Sequence, residues 1–148
     1  MPEIQREIFI DAPINTIWNY VKDIGNWAKQ MPGYEEFELI NEDDSVWTLN
    51  VNIGPFNRNE ILEVHVTQWN EPNSVTFELK GRNDPIIGEG SYNAKVSNGG
   101  TSILLSLTIG GSGSMSGMMN AMAGPVVKKV AQELAQNLKQ AIEEYVKS

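Results

Sequence analysis

The sequence predicts an α+β domain in which a curved, seven-stranded antiparallel sheet grips a long C-terminal helix, with two short helices inserted after the first strand. Three observations carry this. Most of the chain from Tyr34 to Ile109 alternates apolar and polar residues with a period of two. The segments are joined by short, turn-rich connections, which imply antiparallel neighbours. From Pro125 to Ser148 the period changes: Val127, Val130, Ala131, Leu134, Leu138, Ala141, Ile142 and Tyr145 recur at three- and four-residue steps, as on one helical face. Roughly 20 such residues make a rod of about 30 Å, the width of a small domain. Each strand has one dry face, so a single sheet needs a cover, and this helix is the only element of suitable length and polarity.

In chain order, Glu3 to Ile10 alternates with Ile4, Ile8 and Ile10 on one face, where Arg6 is the misfit. Asp11-Ala12-Pro13 reads as a turn and helix start, since proline and an acid both suit a first turn. Ile14, Ile17, Trp18 and Val21 share one side of the helix that follows. Asp23 is placed to cap a second short helix through Trp27 and Lys29, which Met31-Pro32-Gly33 ends. Phe37 and Leu39 then alternate with acids up to a turn at Glu42 to Ser45. Trp47, Leu49, Val51 and Ile53 form the cleanest strand, broken by Gly54-Pro55-Phe56. Leu62, Val64 and Val66 make the next, closed by Asn70 to Asn73, and Val75, Phe77 and Leu79 the one after. Past the Gly81 to Pro85 loop, Gly88, Gly90, Tyr92, Ala94 and Val96 share a face. Asn98-Gly99-Gly100 is a hairpin signal, and Ile103, Leu105, Leu107 and Ile109 complete the set.

Bulk properties bound the function. A chain of 148 residues reads as one domain, 1–148, with room for a real core. The net charge of −8 argues against nucleic acid and against anionic membrane as electrostatic partners, leaving membrane contact at most peripheral. With no cysteine, disulfides, thiol catalysis and thiolate metal sites are excluded. No apolar run reaches the roughly 18 residues of a membrane-spanning helix, and MPEIQREIFI lacks a signal-peptide layout. The expectation is a cytoplasmic protein.

Residues with chemistry are few. His65, the only histidine, shares the wet face with Glu63 and Thr67, so it assembles no catalytic triad and no metal site. Gly88-x-Gly90 leads into more strand rather than a helix, which rules out a nucleotide fingerprint. Trp18, Trp27 and Trp47 fall where packing is expected. Four of the six methionines, Met115, Met118, Met119 and Met122, lie within Ser112 to Gly124 at helical spacing. Met is adaptable, and the interspersed glycines each weaken a helix by up to about 1 kcal/mol. Two readings follow: a movable lid over a cavity mouth, or ordinary core in a strand-to-helix linker. Helical structure is expected from near Ser114, with a kink or break at Gly124-Pro125 separating lid from plug. Gly88, Gly90 and Ala94 on the sheet and Ala131, Ala135 and Ala141 on the helix leave either a void or a close helix approach.

The first strand with Asp11-Ala12-Pro13, Ile17-Trp18, six further strands and a closing helix resemble the START-like, helix-grip (SRPBCC) superfamily, which includes polyketide cyclases and plant pollen allergens. Asp23-Ile24-Gly25-Asn26-Trp27, Met31-Pro32-Gly33-Tyr34, Val46-Trp47-Thr48-Leu49 and Gly54-Pro55-Phe56 look like the CoxG-like family of carbon monoxide dehydrogenase accessory proteins. Trp69-x-x-Pro72, Phe77-x-Leu79-x-Gly81 and Gly88-x-Gly90 fit the same pattern. The resemblance spans nearly the whole chain. It implies a non-enzymatic binder of a hydrophobic small molecule, lipid- or quinone-like, serving as accessory to a molybdenum hydroxylase of the carbon monoxide dehydrogenase type. Many members carry a proline-rich linker and a membrane-associating tail after this domain. The sequence ends at Ser148 without them, which separates the cavity role from a membrane-tether role.

The resemblance also favours a pocket over a filled core. Its expected walls on the sheet are Phe37, Trp47, Leu49, Val51, Val64, Phe77, Leu79, Gly90, Tyr92, Leu105 and Leu107. On the helical side they are Met115, Met118, Met119, Met122, Leu134 and Leu138. Arg6 is the candidate polar anchor, unless it reaches solvent by snorkelling. No metal, covalent cofactor or catalytic residue is expected, only a bound lipid or quinone. The alternative is a cyclase/dehydratase-like enzyme using Arg6, Glu89 or Tyr92 as acid–base groups on an apolar substrate in the same cavity.

Overall fold

The structure, a computed structural model, describes residues 3–53, 56–111 and 116–148, with the backbone alone described at 53, 56 and 116–123. The order is β1 (Glu3–Ile10), α1 (Ile14–Val21), α2 (Ile24–Gln30), β2 (Tyr34–Leu39), β3 (Asp44–Ile53), β4 (Phe56–Asn70), β5 (Ser74–Gly81), β6 (Ile86–Ser97), β7 (Gly100–Gly111) and α3 (Ser116–Lys147). The seven strands form one antiparallel sheet in the order β1-β7-β6-β5-β4-β3-β2. Six strands meander and β1 returns beside β7, so β1 and β2 are the edges. The expected α+β, helix-grip architecture is the one observed. Gly54-Pro55, read as a strand break, lies outside the described residues.

Local chemistry accounts for the junctions. Pro13, extended at φ −65° and ψ 145°, leads into α1 and its carbonyl accepts from Thr16 and Ile17. The Asp23 carboxylate accepts from the Gly25 amide at 2.9 Å, the expected cap of α2. Asn98 and Gly99, at φ 50° and 82°, make the tight turn between β6 and β7, both left-handed as such a hairpin needs. Gly33, at φ 77°, lies against β3: a Cβ there would stand 1.9 Å from the Asn50 carbonyl oxygen, and the Asn50 amide donates to the Gly33 carbonyl at 2.7 Å.

The dry face of the sheet, α1, α2 and the apolar face of α3 share one core. α3 lies chiefly over β7 and β1. Its second half is tied down: the Asn137 amide donates to the Gln30 carbonyl at 2.9 Å, the Lys139 ammonium to the Phe9 carbonyl at 2.6 Å, and Tyr145 packs on Tyr20. Trp27, buried, enters from α2 and packs on Phe77 and Tyr92, with its indole N–H donating to the Val21 carbonyl at 2.8 Å. Buried Thr101 donates to the Ala12 carbonyl at 2.8 Å and joins β7 to the β1–α1 turn.

Two expectations need correction. Of the kink or break expected at Gly124-Pro125, the break is absent: α3 is a single helix through both residues. Pro125 removes one backbone donor, but it sits on the exposed face, where water can serve the freed carbonyl. The glycines of β6 do not leave a void either. A Cβ on Gly90 would come within 2.5 Å of the Phe77 ring, and one on Gly88 within 3.0 Å of Leu79. The neighbouring side chains on β5 lean over the glycines and fill the space, so these glycines permit packing rather than a pocket.

Gly90→Ala is therefore expected to destabilise the fold by about 1–3 kcal/mol through overpacking, and Phe77→Leu in the same chain to recover part of that loss. Urea unfolding of the two single variants and the double variant checks this; a Gly90→Ala protein as stable as the parent contradicts it.

Candidate functional site

A pocket of about 250 Å³ lies between the Met31–Gly33 turn, the Leu49–Asn52 stretch of β3 and Lys129, Val130 and Glu133 of α3. Leu49, Val51, Met31 and Val130 give it apolar walls. Asn50, Asn52 and the Lys129–Glu133 ion pair, 3.6 Å apart, form its polar rim. The turn supplies one wall because Gly33 is pressed against Asn50, fixing its approach to β3.

The strand partner of β3 places polar groups beside this wall, outside the pocket's lining. Glu60 stands directly across from Leu49, and Arg58 across from Val51. Glu60 extends the inward row of Leu62, Val64 and Val66, and it is only 3% exposed. Burial pushes its carboxyl up to about 7, helped by a hydrogen bond with Asp84 and by the negative charge of that residue, with Arg58 partly opposing. Arg58 Nη2 pairs with Asp84 at 3.0 Å. Sequence reasoning does not single out Glu60. The available signal is an acid at i−2 of an apolar row, hidden by the polar run Asn57-Arg58-Asn59 before it.

Among the described residues the deeper interior is packed. Leu105, Leu107 and Leu134 line a gap of about 10 Å³ beside Ala131, too small for more than one water. Trp47, Val64, Phe77, Leu79, Tyr92 and Leu138 are buried in the core, and Gly90 lies beneath Phe77. Of the expected wall residues, the structure thus brings Leu49 and Val51 to the 250 Å³ pocket. Phe37 is half-buried against Gly25 of α2 instead. Met115 lies outside the described residues. Met118, Met119 and Met122 fall in the first turns of α3, and their side chains also lie outside what is described.

The candidate acid–base groups are dispersed. Arg6 sits mid-strand across from Leu105, not at a strand end, and its guanidinium turns out to the Gln5 carbonyl at 3.0 Å. Glu89 is exposed on the outer face. The Tyr92 hydroxyl is buried without a partner among the described residues, and desolvation holds its pKa far above the ordinary phenol value, so it remains a neutral hydroxyl. His65 is exposed and bonded to Asp44 at 2.7 Å; hydrogen bonds from Asn41 first and His65 second lower the Asp44 pKa. No three metal-ligating side chains cluster among the described residues, and no described helix is long and apolar enough to cross a membrane.

Two larger concavities lie outside. One, about 650 Å³, crosses the outer face of β3 to β6 and is bordered by Asp44, Glu63, His65, Glu78, Lys80 and Glu89. The other, about 690 Å³, runs past Trp18, Trp69 and Leu39. The first has a charged, solvated floor and the second is wide open, so neither removes an apolar ligand from water as the smaller inner pocket does.

A curved antiparallel sheet closed by a long C-terminal helix, with an apolar interior entered beside that helix, defines a START-like helix-grip protein. Residues 1–143 match the family described as polyketide cyclase / dehydrase and lipid transport, and the chain belongs to that family. No curated protein matches it. Among solved structures, a conserved protein from Geobacillus kaustophilus superposes with a TM-score of 0.80 at 18% identity, covering 97% of this chain and 96% of that one. A START superfamily protein from Mycobacterium smegmatis gives 0.75 at 13% identity, covering 96% and 97%. Ara h 8.0201 gives 0.68 at 16% identity, covering 98% and 97%. At these identities the likeness is one of fold.

Glu60 makes stability depend on pH. Its folded pKa of about 7 lies above the ordinary 4.5, so between those values the folded chain keeps a proton that the unfolded chain gives up. Stability then falls as pH rises through this window, by up to about 3 kcal/mol in full. Glu60→Gln, neutral throughout, is expected to flatten that slope and to exceed the parent in stability at pH 8. Parallel stability–pH curves for the two proteins would contradict the assignment.

Proposed function

We propose that this chain binds a hydrophobic small molecule, lipid- or quinone-like, between α3 and the sheet and does no chemistry on it. The observation that carries this is the pocket wall. Leu49, Val51, Met31 and Val130 are apolar and continuous with the core, while the fixed charges of Lys129 and Glu133 stay at the rim. At about 250 Å³ the pocket takes a ring system or a short chain, and its buried apolar walls, with polar groups at the rim, suit such a ligand. Membership of a family whose description includes lipid transport supports a carrier.

The finer reading follows the resemblance in the sequence: a cytoplasmic carrier, touching membranes at most peripherally, that serves a molybdenum hydroxylase of the carbon monoxide dehydrogenase type. A cyclase/dehydratase-like enzyme is the second reading, and one observation favours it. Glu60 is a buried acid with a pKa near neutrality, as general acid–base catalysis requires. Against it, Glu60 lies outside the pocket's lining beside the Arg58–Asp84 pair, and the charged groups at the pocket rim, Lys129 and Glu133, are paired with each other.

Native mass spectrometry of the purified protein, followed by solvent extraction, tests the carrier. A co-purifying apolar molecule is expected, and Val51→Trp, which fills the pocket from its half-buried edge, is expected to lose it. A protein that carries nothing, and whose melting temperature does not move with quinones or fatty acids, contradicts the proposal.

A further inference from the structure

The outer concavity of about 690 Å³ forms where the α1–α2 junction, the β2–β3 turn and the β4–β5 turn meet. Its apolar floor is Trp18, Ile24, Leu39 and Trp69. The two indoles meet edge to face at 6.2 Å, and the Trp69 N–H donates to Asp43 at 2.9 Å, which fixes the half-buried Trp69 ring. With that hydrogen already used, Trp69 offers a partner aromatic surface. Leu39, 57% exposed, stands largely in water.

The charge around this floor is one-sided. Asp23, Glu42 and Glu71 border it, against the single ammonium of Lys22. Among the described residues none of these three carboxylates takes part in an ion pair. Aromatic and aliphatic surface bordered by unpaired carboxylates is complementary to a guanidinium with apolar neighbours. The cation is drawn to an indole, and its planar N–H groups fit carboxylates. A small cation in so open a groove keeps most of its surface in water. A chain segment can cover Leu39 as well as bring the cation.

We propose that this groove docks an arginine-bearing segment of a partner protein. The guanidinium lies on Trp69 and pairs with the bordering acids, while an adjacent apolar residue covers Leu39. The net charge of −8 adds a long-range attraction for such a segment. This assignment stands apart from the carrier reading, because none of the groove's residues lines the inner pocket.

The probes are the capped peptide Ac-Leu-Arg-Leu-Arg-Leu-NH2 and its counterpart with citrulline, a neutral isostere, for arginine. Each is titrated into the full chain and followed by NMR at the Trp69 indole N–H and the Leu39 methyls. Three proteins are compared: the parent, Glu42→Gln/Glu71→Gln, and Glu7→Gln/Glu78→Gln, which removes the same charge from exposed positions elsewhere. The arginine peptide is expected to saturate both signals in the parent. The groove variant is expected to weaken it about fivefold, as loss of two surface ion pairs does, and the other variant by less than about twofold. The citrulline peptide is expected to bind more weakly than the arginine peptide, and equally to all three proteins. Failure to saturate these signals, or equal binding of the two peptides, overturns the proposal. Equal weakening in the two variants overturns it too, since that marks diffuse charge attraction. So does benzyltrimethylammonium binding there as tightly as the peptide, which makes the occupant a small cation. Shifts of the same signals with protein concentration alone put a second copy in the groove and overturn it likewise.

Discussion

The structure depends on how one helix covers a sheet wider than itself. Seven strands present one dry face, and α3 lies chiefly over only two of them, β7 and β1. Asn137, Lys139 and Tyr145 fasten its second half to α2, β1 and α1. The rest of the dry face must be covered by other means. Toward α1 and α2, Trp27 supplies the cover by packing on Phe77 and Tyr92. Along β3, the cover is incomplete, and the pocket beside Leu49 and Val51 is the part left over. The opening follows from the geometry of coverage and needs no special lining residues.

That explains why the interior is smaller than small-residue counting suggests. Gly88 and Gly90 lie in the middle of the sheet, where Leu79 and Phe77 occupy the space above them. Close packing wins there because an empty volume forfeits dispersion contacts on every side. Two inward polar side chains have an atom without a hydrogen-bond partner among the described residues. Tyr92, against Trp27, is sealed in with its hydroxyl unpaired. Glu60, across from Leu49, is buried beside the Arg58–Asp84 pair.

Much of this is legible in the sequence. The period-two alternation marks most of the strands, though β2 exposes Leu39, while Asp23 marks the second helix cap and Asn98-Gly99 the last hairpin, because each is a local signal read over a few residues. The closing helix is legible for the same reason after Pro125. Its continuity through Pro125 is not, since whether a proline breaks a helix depends on which face it occupies. The pocket is legible only in part. Leu49 and Val51 share a face with Trp47, yet only the position of Met31 and Val130 decides which of the three stays accessible. Arg6 and Glu60 are both charges on inward rows. The sequence picks out the first because apolar residues flank it on both sides, but the edge strand lets its guanidinium turn outward to Gln5. Glu60 lies on an interior strand where that escape is absent, a fact of strand order rather than of composition.

The most direct test of the inner pocket is a methyl NMR titration of the whole chain with 2-naphthol. The account predicts shifts at Leu49, Val51 and Val130, saturating together, while Ile40, Val46 and Ile87 around the outer groove stay unmoved. Saturating shifts confined to that outer set would place the ligand on the charged face of the sheet and contradict the account.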